Sequence, residues 1–146
     1  MTPDVNVLVA AARSDHPHHA PARAWLSQSL TAAAAGAPLT LMPMVVSSLL
    51  RLVTSPKIFK LPTAIDDAVA FVDALLEQPG VRLATLGPEW PRLRALCLDK
   101  QLGANDLPDA WLAAAALHGG EHLVTFDAHF KKLLPRSQLT VLVAAR

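Results

Sequence analysis

The sequence predicts an α/β protein: a three-layer α/β/α sandwich around a central parallel sheet of four to five strands, folded as a single domain over residues 1–146. Three observations predict it. Short apolar runs alternate with stretches whose apolar residues recur at helical spacing. The 12 prolines fall between these stretches rather than in one tract. The chain is 52% hydrophobic and 17% charged, a balance that argues against disorder. Much of the apolar excess is Ala and Leu, as helices packed on a buried sheet require.

The elements follow in order. Residues 5–12 form an apolar opening segment, and Asp4 is read as lying in an apolar parallel strand there. Only three residues precede Asp4 and one is Pro3, which cannot donate to a sheet ladder, so that strand is short or begins irregularly. Asp15-His16-Pro17 punctuates the chain. A helix then carries Ala22, Trp25, Leu26 and Leu30 on one face. Gly36 and Pro38 break it. Residues 39–42 read as a buried strand closed by Pro43, and residues 45–53 as a helix ended by Ser55-Pro56. Thr63 reads as the N-cap of a helix through Val69, Val72 and Leu76, stopped by Gln78-Pro79-Gly80. Residues 81–84 are a strand. Pro88 opens a helix with Trp90, Leu93, Leu96 and Cys97 on one face, closed by Gly103. Asp106 starts a helix to His118 that ends at Gly119-Gly120. Residues 122–125 are a strand, Asp127 caps a short helix through Leu133, and residues 139–143 are the last strand.

Bulk properties exclude several classes. The formal charge of +1 gives no whole-molecule attraction to nucleic acid, so a basic footprint must be local. Arg51, Lys57 and Lys60 form one such stretch; Lys131, Lys132 and Arg136 form another. Each is either a phosphate-holding surface or a solvated face. A single cysteine, Cys97, forms no internal disulfide and reads as a core thiol, which fits a reducing compartment. With no signal peptide pattern and no apolar run near the ~18 residues of a membrane span, the cytoplasm is expected. His16, His18 and His19 match no zinc spacing and read as a helix-entry loop. Trp25, Trp90 and Trp111 sit at helical core spacing.

The carboxylates carry the functional signal. In a parallel sheet, reactive groups collect at the carboxyl ends of strands. Asp4 lies in the first apolar segment, Asp109 one turn inside a helix, and Asp127 directly after a strand. All three are able to approach one sheet edge. Each also has a structural reading: Asp127 and Asp106 as N-caps, Asp109 as an acid favoured by the helix dipole. Asp4 has the weakest structural reading, because an unpaired charge in an apolar strand is costly. Gathered carboxylates repel unless a cation offsets them. Mg²⁺ takes one or two carboxylates plus waters and phosphate oxygens, which points to phosphodiester chemistry without identifying RNA.

The motifs resemble a known family. Asp4-Val5-Asn6-Val7-Leu8 resembles the D-x-N-V-L opening of PIN-domain ribonucleases. The stretch from Asp109 to Ala114 resembles their D-A-x-L-A-A helix, and Leu123-Val124-Thr125-Phe126-Asp127 with Phe130 resembles their L-V-T-x-D-x-x-F close. Leu49-Leu50-Arg51 with Thr54 and Pro56 is similar to F-L-R-x-x-T-x-P of the VapC toxins. The match spans nearly the whole chain in order. The resemblance implies a PIN-like sandwich and an endoribonuclease dependent on Mg²⁺ or Mn²⁺. It also implies inhibition by a cognate VapB antitoxin, with homodimers inside the toxin–antitoxin complex. It makes Asp4 and Asp109 the metal ligands and Asp127 a third acid, with Asn6 and Thr125 orienting ligands or water. The family's Glu before F-L-R is here Ser48, which holds water but adds no charge. Asp106 is then a candidate replacement acid. The rival expectation is a PIN-like binding or scaffold protein that acts through its partner, and Ser48 favours it. A phosphatase-type hydrolase would need a second acid in a D-x-D loop, which Asp4-Val5-Asn6 lacks.

Overall fold

The computed structural model describes residues 1–144. Among the described residues, five short strands form the centre. β1 (Thr2–Pro3) pairs in parallel with β4 (Leu123–Thr125), and β4 pairs in parallel with β5 (Leu139–Val141). β2 (Leu39–Leu41) pairs in parallel with β3 (Val81–Leu83). The main chain of Met1 joins the two ladders: its N donates to Pro38 O at 3.2 Å and its O accepts from Thr40 N at 2.9 Å. Thr2 N donates to His122 O, just before β4, and Asp4 N to Val124 O within it, each at 2.8 Å, so the nitrogen of Pro3 faces β2. Proline has no proton to return there, which explains the thin seam between β1 and β2. The resulting order is β3-β2-β1-β4-β5.

The strands are connected by the α-helices α1 (Val5–Ala12), α2 (His19–Ala34), α3 (Pro43–Val53), α4 (Ile65–Leu76), α5 (Trp90–Asp99) and α6 (Asp106–Gly119). The chain steps outward from β1 to β3, then returns past β1 to β4. Right-handed crossovers put the helices of the outward and return steps on opposite faces, giving the expected three layers. The packing agrees: α1 lies against α2 and α3, α3 against α4, and α5 against α6. The strand order reverses between β1 and β4, where open α/β sheets place their sites.

The first apolar segment differs from expectation. Residues 5–12 are a helix rather than a strand, and β1 is only the two residues before Asp4. A run of Val and Ala buried all round lacks the amphipathic period that separates helix from strand. Five of the eight α1 residues are buried, Val7 to Ala11. Thr63 is not a cap: α4 starts after Ala64, and the Thr63 hydroxyl accepts from Arg13 at 3.1 Å. Asp106 is not an N-cap either; it is the first residue of α6, and Asn105 precedes it without a side-chain bond. Trp90 and Trp111 are not core residues, being 61% and 40% exposed, and Cys97 is only partly buried. The remaining strands and helices fall near where the pattern placed them, but the last strand ends at Val141 rather than 143, α5 ends at Asp99 well before Gly103, and the element after Asp127 is a 3-10 turn. His16, His18 and His19 do lead into α2, and the His19 ring lies 2.8 Å from Ala10 O, tying α2 to α1. Among the described residues, no helix is long and apolar enough to cross a membrane.

Candidate active site

Asp4 leaves β1 and caps α1, its backbone extended at φ −75° and ψ 162°. Its Oδ1 accepts from Val5 N at 2.7 Å and its Oδ2 accepts from the Thr125 hydroxyl at 2.7 Å. An aspartate at this position meets both the unpaired amides and the positive end of the helix dipole. The residue is only 6% exposed. Burial pushes its carboxyl up from 3.8 to about 6, against the opposing pull of the Thr125 and Val5 hydrogen bonds; the charges of Asp109 and Asp127 add to the rise.

Thr125, the last residue of β4, organises the edge. A hydroxyl has one proton and two lone pairs, and all three are used. It donates to Asp4 and accepts from Asn6 Nδ2 at 3.2 Å and from Asp127 N at 2.9 Å. Asn6 Oδ1 in turn accepts from Phe126 N at 3.2 Å. Asn6 and Thr125 thus pin the first turn of α1 to the exit of β4 and fix the Asp4 carboxylate between them.

Asp127 accepts from His129 N at 2.8 Å and caps a 3-10 turn at Ala128–Lys132. Its side chain is exposed at the edge. Asp109, in the first turn of α6, is half-buried and lines one cleft with Asp4 and Ser48. Burial raises its carboxyl; the charge of Asp127 raises it further, His129 opposes, and Asp106 adds to the rise. Asp106 Oδ1 lies 3.6 Å from His129 Nε2, with both groups well exposed. The topology therefore brings Asp4, Asp109 and Asp127 into one electrostatic group, with Asp106 at its rim beside His129. Among the described residues, no three His, Cys, Asp or Glu stand close enough to cage a metal ion.

The cleft has a volume of about 880 Å³ and a mostly apolar lining from α3, α5 and α6, including Val45, Leu93 and Leu112. Two other residues of the fold are not legible in the sequence. Glu89 looks like an ordinary solvated acid, yet it is 5% exposed. Its Oε1 accepts from Trp111 Nε1 at 2.8 Å and its Oε2 from Gly87 N at 2.7 Å. Burial works against the charge, but these bonds outweigh it and hold the carboxyl below its ordinary range. His129, whose imidazole stands beside Asp106, is the second. An imidazole two residues after a capping Asp is a weak local signal; only the fold brings it to Asp106. The basic stretches are less decisive. Lys131 and Lys132 belong to the 3-10 turn that Asp127 caps, and Arg51 is exposed near the end of α3.

Fold and site together define a class: a doubly wound parallel α/β domain with an acidic cleft at its switch point. The PIN-domain family model matches residues 1–133. Ribonuclease VapC25 of Mycobacterium tuberculosis is 39% identical over 130 residues, covering 88% of this chain and 89% of that one. Ribonuclease VapC43 of the same species is 38% identical over 140 residues, 93% of each. VapBC2 of Rickettsia felis, solved bound to a DNA fragment from its promoter, superposes with a TM-score of 0.62 at 18% identity, covering 96% of both chains. VapC20 of M. tuberculosis, described as a sarcin–ricin loop cleaving toxin, gives a TM-score of 0.61 at 18% identity over 89% of this chain and 92% of that one. The chain belongs to the PIN-domain family, in its VapC branch.

Proposed function

We propose that this chain is a divalent-metal-dependent endoribonuclease, the toxin of a VapBC-type pair that acts in the cytoplasm. A cognate VapB antitoxin restrains it, and it forms homodimers within the toxin–antitoxin complex. The observation that carries the reading is the sharing of one cleft by Asp4 and Asp109, each with its carboxyl raised and each feeling the charge of Asp127. Curated relatives at 38–39% identity are named ribonucleases, which supports the activity.

The donor set fits a hard cation. Two carboxylates with unrelieved repulsion suit Mg²⁺ or Mn²⁺, which takes one or two acids and completes its shell with water and phosphate oxygens. Asp4 and Asp109 would hold it. When bound, such a cation neutralises carboxylate charge and makes water a better nucleophile. The chain's own residues supply the rest. Thr125 and Val5 hold Asp4 in one orientation, and Asn6 holds Thr125. Asp127, with Asp106, orients the attacking water and accepts its proton as the new phosphorus–oxygen bond forms; the scissile bond breaks and the departing ribose oxygen takes a proton from solvent. Ser48 lines the same cleft and positions water. Lys131 and Lys132 hold neighbouring phosphates. The exposed apolar residues Ile58, Leu61, Ile65 and Val69 offer surface for a partner chain.

Purified protein with Mn²⁺ is expected to cut structured RNA internally and to stop in EDTA. Asp4→Asn, which keeps a good N-cap, is expected to be silent. Cutting by that variant at the parent rate would sink the site assignment. A second reading, a PIN-like scaffold acting only through its partner, is favoured by Ser48, which leaves the cleft one acid short of the family pattern. Absence of both cleavage and Mn²⁺ binding at millimolar concentration would select it.

A further inference from the structure

We propose that Trp111 is the wall on which an unpaired RNA base stacks beside the scissile phosphate, and that Glu89 is the positioning residue that holds the indole in place. The inference rests on the ribonuclease reading and adds a base-binding subsite to it.

The argument begins with an expensive arrangement. Glu89 is an acid at 5% exposure, and its two oxygens are spent on the Trp111 indole N–H and on Gly87 N. An unpaired buried charge is costly, and burying a carboxylate merely to fill space gains nothing over an apolar side chain. What the arrangement achieves is a fixed Trp111. Its N–H is consumed, so its polar end is turned to Glu89 while 40% of the residue remains exposed. Trp111 also lines the cleft that holds Asp4 and Asp109. A phosphodiester seated at those acids carries its base within reach of the same cavity. Base–aromatic stacking tolerates any base, because every base has a π-face. The cleft suits this mode: Trp90, Leu93 and Leu107 extend its apolar wall, so little of the surface offers hydrogen bonds to a base edge.

The first arm of the test is kinetic. With Mn²⁺ and a cleavable RNA, Trp111→Leu is expected to raise KM about 5- to 100-fold, the loss of one stacked base, with a smaller change in kcat. Glu89→Ala, which frees the indole, is expected to move KM the same way. Glu89→Gln keeps an acceptor for the indole and is expected to restore most of the affinity. Thermal melts of each variant separate unfolding from loss of the subsite. The second arm needs no catalysis. In a chain carrying Trp25→Phe and Trp90→Phe, Trp111 is the remaining indole of three. In EDTA, its emission is expected to be quenched by a short single-stranded RNA and much less by the same strand with an abasic residue.

Equal quenching by the two strands, or an unchanged KM in Trp111→Leu, would overturn the proposal. So would quenching only by a peptide from the partner antitoxin, which would make the wall a protein-docking surface. If the parent cleaves nothing yet the base-dependent quench persists, the subsite stands and the ribonuclease reading fails; if the parent cleaves and the quench is absent, only the subsite fails.

Discussion

Asp4→Asn should leave the metal-free protein more stable, although the same change removes its activity. The Asp4 carboxyl is moved from 3.8 to about 6 by burial and by its acidic neighbours. At about 1.4 kcal/mol per pH unit, ionising it in the folded chain costs about 3 kcal/mol more than in the unfolded chain. The sign follows from linkage: a raised carboxyl means that the folded state binds the extra proton, so stability falls as pH rises from about 4 to about 6 and stays low above that. Asparagine keeps the cap and the acceptor for Thr125 or Val5 but carries no charge. Allowing for weaker hydrogen bonds, Asp4→Asn is expected to gain about 1–3 kcal/mol at pH 8 without metal. For a chain of this length that raises Tm by roughly 3–10 °C. The difference between variant and parent should shrink towards zero at pH 4. Millimolar Mn²⁺ should stabilise the parent and not the variant, because only a ligand that binds the folded state shifts the midpoint. The assay is thermal unfolding across pH, with and without metal. A variant less stable than the parent at pH 8, or a difference that ignores pH, would refute the account of Asp4 as a strained acid held for a cation.

Three other outcomes are expected. Thr125→Val removes the donor to Asp4 and the acceptor for Asn6 and Asp127 N, so denaturant melts should show a loss of about 1–3 kcal/mol and RNA cleavage should fall about 10- to 100-fold. Ser48→Glu adds the missing acid to the cleft and should tighten Mn²⁺ binding about tenfold by calorimetry, while lowering metal-free stability through added repulsion. Gly80 has φ +77°, and a Cβ there would stand 2.2 Å from Ala33 O, so Gly80→Ala should cost at least about 2 kcal/mol in a melt without changing kcat per folded molecule.

The sequence exposes the layers more readily than the site. Punctuation by Pro and Gly marks β2, β3 and β4 and the helices between them, because those elements carry clean local periods. Residues 5–12 do not: a short helix buried on every side has the same apolar run as a buried strand. That ambiguity hid the reason for Asp4, which is both the end of a strand and the cap of a helix. The gathering of Asp4, Asp109 and Asp127 was legible because each sits where chain order and sheet topology coincide. Glu89 and Trp111 were not, since they are 22 positions apart and meet only after α5 packs on α6. The same holds for His129 and Asp106. Trp111 at helical spacing looks like core, and only the tertiary structure shows its exposed part in the cleft. Ser48 was read from the motif, and its place in the acid-bearing cleft gives that gap a physical location.

The most direct test of the central claim, that Asp4 and Asp109 jointly hold one divalent cation, is Mn²⁺ titration followed by electron paramagnetic resonance. Parent, Asp4→Asn and Asp109→Asn would be compared at pH 7.5. The account predicts that the parent removes about one equivalent of free Mn²⁺ signal per chain and that both variants bind at least tenfold more weakly. Equal binding by all three would contradict it, because the cation would then rest on other residues.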